Sequence, residues 1–170
     1  LRHTLVEQLG TAAMVVGFNH AFGKDREGSL EQLKLLAPEL GVTIEEVEPV
    51  VIDGVSVSST KIRHALLDGR LAEANAWLGR PYAFTGSVIH GDALGRTLGF
   101  PTANLNVPAP KLIPDDGVYA SRVHLPGREG TLTGALSIGT RPTVTDAGAR
   151  AIEVLLLGFT GDLYGQEITI

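Results

Sequence analysis

The run Gly91-Asp92-Ala93-Leu94-Gly95-Arg96-Thr97-Leu98-Gly99-Phe100-Pro101-Thr102-Ala103-Asn104-Leu105 concentrates residue types suited to handling phosphate. Gly91, Gly95 and Gly99 fall within nine residues and let backbone N–H groups approach an anion, while Arg96 adds a fixed positive charge. Thr102 and Asn104 offer oxygen ligands of the kind a hard cation such as Mg²⁺ accepts. The spacing is not that of a P-loop, and two readings stay open. One is a nucleotide-phosphate cradle; the other is a glycine-rich connection between strands in which Thr102 and Asn104 make turn hydrogen bonds.

Glu153 sits in the apolar run Ile152 to Leu157. Strand alternation puts Ile152, Val154 and Leu156 on one face and Glu153, Leu155 and Leu157 on the other. A carboxylate among leucines is costly without a partner or a task. Glu153 reads either as a general base or as an edge-strand glutamate paired with a surface arginine. In the first half, Val57-Ser58-Ser59-Thr60-Lys61-Ile62-Arg63 places hydroxyls and cations at a helix N-terminus, which suits an anion and equally suits plain capping by Ser59. Gly17-Phe18-Asn19-His20-Ala21-Phe22-Gly23-Lys24 is the other notable run. Its His20 has no second ligand at metal spacing and reads as structural or surface.

These residues need elements to hold them. Ala12 to Gly17 is a short apolar strand-like run, and Ser29 to Gln32 has capping-box spacing ahead of a helix through Leu36. Val47 to Ile52 reads as the next strand, closed by Asp53-Gly54. A helix then runs from Ser58-Ser59-Thr60 to Leu67, and Leu71 to Leu78 forms another, ended by Gly79. After Gly79-Arg80-Pro81 the texture becomes short β-like segments: Tyr82 to Ile89, Gly117 to Leu125, Leu132 to Ile138, Ile152 to Leu157 and Glu167 to Ile170. An α/β first part, a boundary near residue 80 and an antiparallel barrel or sandwich after it are the expectation.

Composition narrows the function classes. The chain has 170 residues, 44% of them hydrophobic, enough for one large or two small domains. A formal charge of −5 with no local basic patch argues against a nucleic-acid partner. The absence of cysteine excludes thiolate chemistry and Cys-based zinc sites and fits a reducing compartment, with the cytoplasm as the default. The apolar runs are too short to span a bilayer as a helix, so no membrane partner is expected. The chain opens at Leu1, has Met14 as its one methionine and stops in a strand-like Ile168-Thr169-Ile170, so it reads as a piece of a longer protein.

Five segments carry a resemblance: Gly99 to Leu105, Pro114-Asp115-Asp116-Gly117-Val118-Tyr119-Ala120, Ile138-Gly139-Thr140-Arg141-Pro142-Thr143, Glu153, and Gly161-Asp162-Leu163-Tyr164-Gly165. In order and spacing they resemble the riboflavin kinase signature, over Arg80 to Ile170. The resemblance implies a six-stranded antiparallel barrel at one end of which ATP and flavin meet. It implies Mg²⁺–ATP binding at a Pro-Thr-Ala-Asn turn, here Thr102 and Asn104, with Glu153 as the base. The family often has histidine where this chain has Leu155, and aspartate where it has Gly158.

The two first-half motifs resemble the C-terminal part of the FMN adenylyltransferase domain that precedes the kinase in bacterial bifunctional FAD synthetases, over about residues 1 to 79. This implies part of a Rossmann-like nucleotidyltransferase lobe, with Asn19, Ser58, Ser59, Thr60 and Arg63 at a nucleotide site. Asn19 stands where aspartate is more frequent. The family's His-x-Gly-His type motif is absent from these residues. The implied activities are phosphorylation of riboflavin to FMN with Mg²⁺ and ATP and, in the complete protein, adenylylation of FMN to FAD. A flavin- or nucleotide-binding module without turnover is the alternative, and Glu153 separates the two, because a pure binder has no use for a carboxylate there. An OB-like nucleic-acid binder is disfavoured by the few aromatics in the β half.

Overall fold

A computed structural model describes residues 2–23, 28–91, 101–140 and 150–170. The chain folds as two compact units, Leu1–Val57 and Ser58–Ile170.

In the first unit a π-helical segment, Arg2–Gln8, precedes strand β1 (Ala13–Gly17), helix α1 (Leu30–Leu40) and strand β2 (Thr43–Val47). β1 and β2 pair in parallel, Met14 beside Ile44, with α1 as the crossover. Leu30, Leu33 and Ala37 are the buried face of α1, and the first two pack with Val16 of β1. Ser29 caps the helix as its spacing predicts: its Oγ accepts from Gln32 N at 3.3 Å, and its own N–H donates to Gln32 Oε1 at 3.1 Å. Ser29→Ala is expected to cost about 1 kcal/mol, read by chemical denaturation.

α1 runs past the expected end at Leu36, carrying Pro38 inside its last turn. Pro38 removes one backbone donor, and the extension brings Ala37 into the buried face before Gly41, at φ 67°, closes the helix. The expected strand Val47 to Ile52 is a second difference. β2 ends at Val47, and a hairpin of β3 (Val51–Ile52) and β4 (Val55–Ser56) follows. Pro49 lies between, with no N–H to give a ladder. Asp53 and Gly54, at φ 49° and 75°, turn the hairpin in the left-handed region that suits a right-twisted ribbon.

The second unit opens with helices α2 (Ser59–Leu67) and α3 (Leu71–Leu78). Ala65, Leu66 and Ala74 pack between them and meet Leu112, and Asp115 N donates to Leu66 O at 3.0 Å. Both helices therefore belong by packing to this unit, although the texture of the sequence changes only at residue 80.

Six strands follow: β5 (Thr85–Ile89), β6 (Thr102–Asn106), β7 (Gly117–Val123), β8 (Leu132–Thr140), β9 (Arg150–Leu156) and β10 (Glu167–Thr169). They form one antiparallel sheet in the order β10-β5-β6-β9-β8-β7. An isolated bridge, His124 N to Thr169 O at 2.8 Å and Thr169 N to His124 O at 3.1 Å, links the end of β7 to β10. Alternate residues on one face, among them Phe84, Val88, Leu105, Ile152, Val154 and Leu156, make the core. β6 is the strand not expected from sequence, since Thr102 to Asn104 reads there as a turn.

Candidate functional site

β6 is inserted between β5 and β9, and its register places Ile89, Asn104, Glu153 and Ser137 side by side across four neighbouring strands. Because Ala103 and Leu105 turn towards the core, as do Ile152, Val154 and Leu156, the residues Thr102, Asn104 and Glu153 share the opposite face. Thr102 Oγ1 donates to Glu153 Oε2 at 3.0 Å, a diagonal contact across the ladder. Glu153 is half-buried. β9 is an interior strand with partners on both sides, which removes the edge-strand reading of Glu153. A carboxylate accepts at several lone-pair positions, so the Thr102 bond orients the group without exhausting it.

Gly91 joins this cluster for a steric reason. A Cβ built on it would fall on the Asn104 carboxamide, so only glycine lets that side chain lie against the chain leaving β5. Gly95, Arg96 and Gly99 lie outside the described residues, as do Arg141, Pro142 and Thr143 of the quoted motif. Thr102 and Asn104 are thus strand residues two apart on one face, which corrects the expectation that they sit in a turn.

A cavity of about 670 Å³ opens beside Thr102, between Pro101, Thr102 and Ala103 on one side and Phe159 to Tyr164 on the other. Leu163 is 8% exposed and anchors that second wall in the core, and Asp162 Oδ1 accepts from Tyr164 N at 2.9 Å. The Tyr164 ring stacks on His90 with 3.8 Å between centroids. His90 was not legible as a site residue. Its one sequence signal is that it precedes Gly91.

The start of β9 is tied to the segment before β7. Arg150 Nε donates to Asp116 Oδ1 at 2.6 Å, and Nη2 donates to the Pro114 carbonyl. Tyr119 donates its hydroxyl to the Asp115 carbonyl at 2.6 Å. Burial first, then the neighbouring Asp115 carboxylate, pushes the phenol above its ordinary value, so it stays a donor.

The first-half candidates belong to different units of the chain. In the first unit, Asn19 lies exposed in the turn after β1, where His20 N donates to Gly17 O at 2.9 Å. His20 stacks loosely on Phe22 with 6.4 Å between centroids. In the second unit, the cap of α2 is Ser58 and not Ser59: Ser58 has extended backbone, and its Oγ accepts from Lys61 N at 3.3 Å. Ser59 is already the first helical residue, and Ser59, Thr60 and Arg63 are exposed on the first turns.

Among the described residues no three His, Cys, Asp or Glu side chains gather into a metal cluster, and no helix is long and apolar enough to cross a membrane.

Comparison with known proteins agrees with the motif order. The family model described as riboflavin kinase matches residues 78–170, and the one described as FAD synthetase matches residues 1–61. The bifunctional riboflavin kinase/FMN adenylyltransferase of Listeria monocytogenes is 44% identical over 158 residues, 92% of this chain and 49% of the relative. That of Escherichia coli K12 is 45% identical over 168 residues, 98% of this chain and 52% of the relative. The chain therefore spans about half the length of the curated relatives it matches. A solved structure described as a macrolide-efflux protein from Streptococcus pneumoniae superposes with a TM-score of 0.80 at 35% identity, covering 92% of this chain and 49% of that one.

Proposed function

This chain belongs to the riboflavin kinase family, and from that premise we propose that its second unit transfers the γ-phosphoryl group of ATP to the 5′-hydroxyl of riboflavin, giving FMN. The observation that carries the reading is the Thr102–Glu153 hydrogen bond beside Asn104, on the sheet face opposite the core, with Thr102 also lining the cleft. Glu153 accepts the ribityl hydroxyl proton as that oxygen attacks the γ-phosphorus. The bond from phosphorus to the bridging oxygen breaks, and ADP departs. Thr102 holds the carboxylate in place. Phosphoryl transfer depends chiefly on positioning and charge neutralisation, so one oriented base and a phosphate cradle suffice.

The donor set fits Mg²⁺. Thr102 Oγ1 spends its proton on Glu153 and keeps lone pairs for a cation, and Asn104 brings a carboxamide oxygen, two neutral ligands of the sparse kind Mg²⁺ takes when phosphates and waters complete its shell. When bound, the ion supplies charge neutralisation on the phosphate oxygens. Gly91 faces the same cluster, and we assign Gly95, Arg96 and Gly99 to the phosphates.

For the whole protein the proposal extends to adenylylation of FMN to FAD. By sequence, residues 1–79 are then the adenylyltransferase part and 80–170 the kinase part, although helices α2 and α3 pack with the second unit. The FAD synthetase match and the parallel β1–α1–β2 unit support this Rossmann-like reading. Asn19, Ser58, Ser59, Thr60 and Arg63 are its nucleotide-site residues. The His124–Thr169 bridge supports a closed barrel for the six-stranded sheet. ATP as co-substrate carries a cytoplasmic location with it.

Incubation of this chain with riboflavin, ATP and Mg²⁺ is expected to yield FMN. A folded chain that binds riboflavin and makes no FMN would reduce it to a binding module. Thr102→Val is expected to lower kcat about 10- to 100-fold, through loss of a hydroxyl–carboxylate bond and an oxygen ligand, while Thr102→Ser keeps most of the activity. Steady-state FMN formation distinguishes these outcomes.

A further inference from the structure

We infer that His90 is a positioning residue: its stack on Tyr164 fixes one wall of the 670 Å³ cleft, against which a planar heteroaromatic ring of a substrate packs. The inference rests on the kinase reading, whose substrates carry two such rings, the adenine of ATP and the isoalloxazine of riboflavin.

Tyr164 is 40% exposed and stands on a turn. Its backbone is fixed by the Asp162 side chain, and the turn is anchored by buried Leu163. A half-exposed tyrosine on a turn samples several rotamers unless something holds the ring. His90 does so, with 3.8 Å between centroids and 25° between planes. Such an aromatic pair contributes beyond its burial. His90 is also bonded directly to Gly91, against which Asn104 packs. One dipeptide at the end of β5 therefore sets both the aromatic wall and the side chain beside the base. The preorganised wall lowers the cost of ordering the site when a ring binds.

The test is the KM-against-kcat split of the full chain, with ATP and riboflavin varied separately, in wild type, His90→Ala and His90→Phe. His90→Ala is expected to raise the KM for at least one of the two substrates about 3- to 10-fold with kcat within about two-fold of wild type, and His90→Phe, which keeps a ring to stack, to restore it. The substrate whose KM moves is the one whose ring meets the wall. Neither KM rising in His90→Ala, or a rise that Phe does not restore, would overturn the inference. Riboflavin fluorescence quenching and the thermal shift given by ATP–Mg²⁺ read the same wall without turnover. A wild-type chain that makes no FMN would therefore sink the kinase reading, and the binding pattern across the same variants would still decide the role of His90.

Discussion

Glu153→Gln is expected to lower kcat for riboflavin phosphorylation by about 10²- to 10⁴-fold, the range a positioned general base contributes. Glutamine has nearly the same shape, and its amide oxygen can still accept from Thr102 Oγ1, so the β6–β9 contact survives and the thermal midpoint should hold. What is lost is the group that takes the ribityl proton. KM values for ATP and riboflavin should change little, since an interaction made chiefly in the transition state appears in kcat. Retention of more than about a tenth of the wild-type rate would remove Glu153 as the base, because a base worth less than ten-fold lies below the usual range. Comparing this variant with Thr102→Val separates the two roles: the base should cost more than the residue that orients it.

Phe84→Ala is expected to destabilise the second unit by about 3–5 kcal/mol, a large share of the roughly 5–15 kcal/mol a domain has. Phe84 is 4% exposed and sits where the chain enters β5. Its N–H and C=O both bond Ile170, each at 2.9 Å. These backbone bonds remain in the variant, so the loss is that of the ring and the cavity it leaves. Trp77 is the only tryptophan, and it packs against the Ala65–Leu66–Ala74 cluster of the same unit, so its fluorescence in a urea titration reports this unit. A loss below about 1 kcal/mol would mean that the core collapses into the space, against the usual partial relaxation.

Much of this protein was legible from local chemistry. Ser29 and Gln32 announced a capping box because both partners lie within one helical turn. Gly79 closes α3, at φ 68°, because a helix that must stop favours a residue tolerant of the left-handed region. The alternation in Ile152 to Leu156 separated the core face from the face that carries Glu153, since the strand period is two whatever the strand pairs with. The order of the five motifs was enough to point to the family.

Other features were decided only by tertiary structure. That Thr102 belongs to a strand, and that this strand lies beside β9, follows from a register between segments about fifty residues apart. Nothing local to Pro101-Thr102-Ala103-Asn104 specifies that partner, and only burial of Leu105 and Val154 in a common core selects it. Burial of Ala37 carries α1 through Pro38, where backbone preference alone would end it. The His90–Tyr164 stack has the same origin: two rings with no relation in sequence meet because β5 and the anchored Leu163 turn close on one core. Sequence by itself determined most of the elements, the faces of the strands it showed and the types of group available for chemistry, all of which depend on neighbours along the chain. Which of those groups meet was decided by the non-local pairing of strands, whose energy comes from apolar surface that no single segment can bury alone.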